Sequence, residues 1–215
     1  GLKTHIFEPS ANPPTGDVAH RVTTAGYDDT EALKAFANSV DVITYEFENI
    51  PTEALDIVES LRPIRPGRNA LAVSQDRITE KAFLTDLGIT VAPYAQIDSL
   101  SDLTAALKTI GTPAILKTRR FGYDGKGQVR ITDKAQAEAA FASLQGAPAV
   151  LEGFIDFTRE VSVIAARGHD GAVVCYDPGE NVHKDGILDT TTIPATLVAG
   201  QHMDAILLAG KILNA

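Results

Sequence analysis

Tryptophan is absent from this 215-residue chain, cysteine and methionine occur once each, and aromatic residues make up only 6% of it. With Cys175 as the sole thiol no disulfide can close within the chain, and a reducing compartment, the cytoplasm, is the simplest setting. Cys175 itself sits in an apolar run without a nearby histidine and reads as core. No apolar run approaches the ~18 residues that a membrane-crossing helix needs. The opening Gly1-Leu2-Lys3-Thr4-His5 lacks the basic-then-apolar order of a signal peptide. Positive charge is scarce: 19 Lys and Arg face 28 Asp and Glu, a net charge of -9, which argues against nucleic acid as a partner. No His/Cys spacing fits zinc. Internal repeats and low-complexity tracts are missing too.

What is present is an ordinary globular mixture, 44% hydrophobic and 22% charged, long enough for one large domain or two smaller ones. The first residue is not methionine and the last lie in a helical pattern without a stop signal, so both ends read as cuts in a longer protein. The first third alternates: a strand over residues 2–7, a Pro/Asn-rich loop over 9–14, a helix over 30–40, a short buried strand over 41–45 and a helix over 51–61. Strands alternating with helices predict a parallel, doubly wound sheet. Residues 61–67, with two prolines and a glycine, read as a linker, followed by helices over 68–75 and 77–87, the second ended by Gly88. Beyond residue 91 the spacing predicts helices over 100–110, 133–144 and 200–215. It predicts strands over 114–118, 128–131, 149–152, 160–167, 171–176 and 187–194. This is an α+β region with antiparallel pairing.

The strongest chemical signal is Lys117 on a strand, followed by Arg119, Arg120 and the loop Gly122-Tyr123-Asp124-Gly125-Lys126-Gly127-Gln128. A lysine inside a strand is costly unless its ammonium meets an anion. The glycines let backbone N–H groups approach phosphate oxygens. A basic β-hairpin with a loose tip is the plainer alternative. The spacing matches neither the nucleotide P-loop nor the dinucleotide fingerprint. Glu152, at the end of an apolar strand before Gly153, Phe154 and Ile155, suits ribose hydroxyls or an amino group, or is a surface hinge. Arg77 opens a helix, where the dipole disfavours a cation unless an anion is near. Glu46 and Glu48 lie at the carboxyl end of a parallel-type strand, the edge where open α/β sheets bind ligands. Asn181-Val182-His183-Lys184-Asp185-Gly186 reads as a polar turn, with His183 a turn residue or a ligand contact.

Taken together, these residues resemble the ATP-grasp superfamily: Lys117 with the glycine loop, then Glu152-Gly153-Phe154-Ile155 and Glu160. Thr44-Tyr45-Glu46-Phe47-Glu48-Asn49, Gln75-Asp76-Arg77 and residues 180–188 are similar to its N5-carboxyaminoimidazole ribonucleotide synthase branch, along the whole chain. The resemblance implies a partial pre-ATP-grasp, substrate-side domain over 1–66 and a helical connection over 67–90. It further implies an ATP-grasp small subdomain over 91–156 and the start of the large subdomain over 157–215. It implies ATP-dependent carboxylation of aminoimidazole ribonucleotide with bicarbonate, in purine biosynthesis, through carboxyphosphate. Neutralising the transferring phosphoryl group and excluding water are what such chemistry asks of a protein. Arg77, Lys117, Gly122, Tyr123, Asp124, Gly125, Lys126, Gly127, Gln128, Glu152, Gly153, Phe154, Ile155, Glu160 and His183 would bind ATP, Lys117 and Lys126 serving as the catalytic cations. Tyr123, Asp124, Lys126 and Glu46 or Glu48 would contact the ribonucleotide. Magnesium is implied with its ligands outside this segment, a homodimer is implied, and the segment alone is expected to be inactive. Another ATP-grasp carboxylate–amine ligase, or a nucleotide-binding module without catalysis, is the alternative.

Overall fold

The computed structural model describes residues 1–122, 126–184 and 186–215. They form two compact units, Gly1–Asp76 and Arg77–Ala215.

In the first unit, β1 (His5–Glu8) and β2 (Arg21–Thr24) pair in parallel. Helices α1 (Thr30–Asn38), α2 (Thr52–Glu59) and α3 (Arg68–Ser74) follow. Asp29 caps α1, its side chain accepting from the Ala32 amide, and Pro51 precedes the first turn of α2. Leu33 and Ala37 of α1, Leu55 and Val58 of α2, and Leu71 of α3 close one apolar core. The strand expected over 41–45 is reduced to a single parallel bridge, Ile43 to Ile64. The Ile43 amide donates to the Pro63 carbonyl and the Arg65 amide to the Ile43 carbonyl, each at 2.9 Å. Pro63, beside that bridge, has no N–H to extend it. Ile64, within the stretch read as a linker, is fully buried in this core.

The second unit opens with α4 (Arg77–Asp86), β3 (Tyr94–Ile97), α5 (Leu100–Thr109), β4 (Ala114–Thr118), β5 (Gln128–Ile131), α6 (Ala137–Ser143) and β6 (Ala149–Gly153). Gly88, at φ 67°, ends α4 as its position foretold: its amide donates to the Thr85 carbonyl and that of Ile89 to Leu84. The four strands form an antiparallel sheet in the order β3-β6-β4-β5. Side chains alternate across a strand, and here the alternation is clean. Ile97, Ala114, Leu116, Ile131, Ala149 and Leu151 point to one side and pack with Leu103 and Leu107 of α5 and Ala137 and Ala140 of α6. Register then puts Tyr94, Ile115, Lys117, Gln128, Arg130 and Glu152 together on the opposite face.

The remainder departs from expectation in two places. Residues 160–167 form two strands rather than one: β7 (Glu160–Ser162), and β8 (Ala165–Arg167), which pairs with β9 (Val173–Cys175). The polar run 181–186 is mostly strand. β10 (Gly179–Lys184) pairs with β7 on one side and with β11 (Ile187–Thr192) on the other, and Gly186 takes the left-handed turn position at φ 80°. Both misreadings share a cause: where such short strands begin and end is decided by their partners, which local sequence does not name. Helix α7 (Ala199–Leu213) completes the described chain.

Candidate functional site

The polar face of the four-stranded sheet holds the one buried charged residue among those described, Glu152, 8% exposed. It does not lie at a surface hinge, the plainer of its two sequence readings. Lys117 sits two residues along β4 from Ile115, which is directly opposite Glu152. A diagonal pair of this kind is within reach of long side chains. Lys117 Nζ donates to Glu152 Oε2 at 2.9 Å. The second carboxylate oxygen, Oε1, is 3.3 Å from Lys81 Nζ, on α4. Lys81 also stands over the Tyr94 ring, 5.7 Å from its centroid. Burial alone would raise the Glu152 pKa, but the Lys117 and Lys81 ammonium groups outweigh it and the net displacement is downward. The carboxyl is therefore ionised, and the cluster of two ammonium groups and one carboxylate carries net positive charge.

Next to this cluster lies the glycine loop joining β4 to β5. The Thr118 amide donates to the Gly127 carbonyl at 2.8 Å, and the Arg77 amide to the Arg119 carbonyl at 3.1 Å. Gly127 has φ 69°, and a Cβ there would stand 2.7 Å from Thr118 Oγ1. A side chain is thus excluded by both conformation and space. Gly122 also faces Thr118, less tightly: a Cβ on it would lie 3.3 Å from Thr118 Oγ1 and 3.7 Å from an Arg77 guanidinium nitrogen. The fold accordingly brings Arg77, Lys117, Gly122, Gly127 and Glu152 to one region of the second unit. Lys126 is exposed, and Gln128 begins β5 opposite Lys117. Tyr123, Asp124 and Gly125 fall outside the described residues.

Beyond Glu152, Gly153 donates to the Pro93 carbonyl and Phe154 to the Pro113 carbonyl. The Arg130 guanidinium lies 4.2 Å from the Phe154 ring centroid, a cation–π contact that fixes the ring, while Ile155 is exposed. Glu160 and His183 meet on the β7–β10 pair: His183 Nδ1 is 3.5 Å from Glu160 Oε1, and the Asn181 side-chain Nδ2 donates to the same oxygen at 3.3 Å. His183 is thus a strand residue, not a turn residue. Glu46 and Glu48 belong to the first unit, exposed in the segment after Ile43.

Lys81 escaped the sequence reading. A signal was available: it lies four residues after Arg77, so both occupy one face of α4.

A cation-rich face, a carboxylate held between lysines and backbone space kept open by glycine fit a polyphosphate nucleotide. Among the described residues no group of three or more His, Cys, Asp or Glu side chains is placed to hold a metal ion.

Comparison with known families agrees with this geometry. The ATP-grasp domain matches residues 82–215, well over half the chain. The chain belongs to the ATP-grasp family. In front of its ATP-grasp domain, residues 1–75 match the ribonucleotide synthetase preATP-grasp domain. This ATP-grasp chain is 50% identical to the N5-carboxyaminoimidazole ribonucleotide synthase of Brucella melitensis over 217 residues, covering 100% of the chain and 60% of that relative. Two solved structures share the fold. The Staphylococcus aureus N5-carboxyaminoimidazole synthetase complexed with ADP aligns with TM-score 0.92 and 35% identity, over 99% of this chain and 56% of the other. The Aspergillus clavatus N5-carboxyaminoimidazole synthase in complex with ADP and 5-aminoimidazole ribonucleotide aligns with TM-score 0.86 and 25% identity, over 98% and 55%. The chain thus spans little more than half the length of these relatives.

Proposed function

We propose that this chain is the nucleotide-holding part of an ATP-dependent ligase that carboxylates 5-aminoimidazole ribonucleotide. Ribonucleotide, bicarbonate and ATP would give the N5-carboxylated ribonucleotide, ADP and phosphate, a step of purine biosynthesis. The observation that carries this reading is the match along the entire chain to the Brucella enzyme at 50% identity. The site chemistry is consistent with it. ATP, when bound, supplies the phosphoryl group that activates bicarbonate. Lys117 on its strand neutralises phosphate charge, with Arg77 and Lys126 adding to the positive field. The Gly122 and Gly127 backbone admits phosphate oxygens closely. Glu152 to Ile155 line the base and ribose end, with Glu160 and His183 on the neighbouring sheet. By the family pattern Tyr123, Asp124, Lys126 and one of Glu46 and Glu48 would contact the ribonucleotide.

The same reading assigns residues 1–66 to the substrate side, 67–90 to a connection, 91–156 to the small ATP-grasp subdomain and 157–215 to the beginning of the large one. It includes a cytoplasmic homodimer and magnesium accompanying ATP. No helix among the described residues is long and apolar enough to cross a membrane. Calorimetric titration of the full protein with ATP tests the assignment of Lys117. Charge-assisted contacts contribute roughly 1.5–3 kcal/mol each, so Lys117→Ala should weaken binding about 10- to 150-fold. Unchanged affinity would remove Lys117 from the site.

A further inference from the structure

One carboxylate shared by two ammonium groups is more than a structural ion pair requires. The strand order β3-β6-β4-β5 puts Glu152, on β6, between its two partners. Lys117 approaches from β4, the strand that runs into the glycine loop, and Lys81 from the β3 side, above Tyr94. Each takes a different carboxylate oxygen. Their exposures differ in the same sense, 21% for the Lys117 side chain and 13% for that of Lys81.

Consider what Lys117 must do to meet a phosphate. Paired with Glu152 alone, it would belong to a neutral couple that attracts anions weakly. Turning away would then leave a buried carboxylate without a counter-ion, which is strongly unfavourable. Lys81 removes both obstacles: it leaves the cluster positively charged, and it remains on Oε1 when Oε2 is vacated. We propose that Lys81 is a positioning residue for nucleotide binding, the standing counter-ion of Glu152 that frees Lys117 to engage phosphate. This rests on the ATP-binding reading of the site. Lys81 itself touches neither nucleotide nor reacting atoms in this scheme; it acts through Glu152.

A double-mutant cycle on ATP affinity in the full protein tests it. Lys81→Met should weaken ATP binding about tenfold, a coupling of ordinary size for charges in one network, and Lys81→Arg should restore most of it. In a Glu152→Gln background there is no anion to hold, so Lys81→Met should change affinity by less than about twofold. Lys81→Gln, which keeps a donor to the carboxylate without charge, provides a second variant if the methionine variant fails to fold, and should weaken ATP binding as the methionine does. Equal losses in both backgrounds would overturn the proposal, because Lys81 would then not act through Glu152. So would unchanged affinity in the single variants while the unmodified protein binds ATP. Failure of the unmodified protein to bind ATP would instead overturn the underlying reading.

Discussion

Replacing Glu152 by glutamine keeps the shape of the side chain and deletes the charge that holds two ammonium groups together. The Glu152 side chain is 11% exposed, that of Lys81 13% and that of Lys117 21%. Removing one partner of a buried ion pair costs about 3–5 kcal/mol because the remaining charge is uncompensated. Here two like charges are left facing each other, but water still reaches both lysines, so the lower end applies, about 3 kcal/mol. Since the chain has two units, a single unfolding midpoint would mix them. Amide hydrogen exchange on β4 and β6 separates them: opening of the second unit should become roughly 150-fold easier at Leu116 and Leu151, while Leu33 and Leu55 in the first unit stay unchanged. Adding Lys81→Met to Glu152→Gln should recover part of the loss by relieving the repulsion. Exchange altered by less than about fivefold, a change below roughly 1 kcal/mol, would mean that the carboxylate does not hold this face together.

The same group sets a pH dependence. Glu152 has a folded pKa below its ordinary value, so its contribution is fully present above the unfolded carboxylate pKa and is lost as pH falls through the folded one. Denaturation of the second unit followed from pH 7 downward should show the gap between the native protein and Glu152→Gln closing as pH drops below about 4; a gap independent of pH would contradict the ionised state. Gly127→Ala should cost about 1–2 kcal/mol from the left-handed backbone alone. Because the new Cβ would also press on Thr118 Oγ1, Thr118→Ala should relieve part of that cost in the double variant, and purely additive losses by denaturant titration would show that the contact is unimportant.

Much of this was legible in the residues because local rules sufficed. The alternation in 114–118 and 149–152 identifies the core face and, by exclusion, places Lys117 and Glu152 on the other. Gly88 announces the end of α4. What was not legible depends on partners distant in sequence. The bridge from Ile43 to Ile64 is limited by Pro63, some twenty residues away. The separation of β7 from β8 follows from their pairing with β10 and β9. Lys81 gains its role only because the fold lays α4 against Tyr94 and Glu152, some 70 positions further along the chain. The tripartite cluster therefore emerges from the fold, even though two of its three members stand out in the sequence.

The central claim is the reaction, and phosphate release measures it directly. The full protein, supplied with ATP and bicarbonate, should release phosphate faster when 5-aminoimidazole ribonucleotide is added, with carboxylated ribonucleotide formed in equal amount. Phosphate release indifferent to the ribonucleotide, or release without the carboxylated product, would contradict the account and point to another acceptor for the same ATP-binding face.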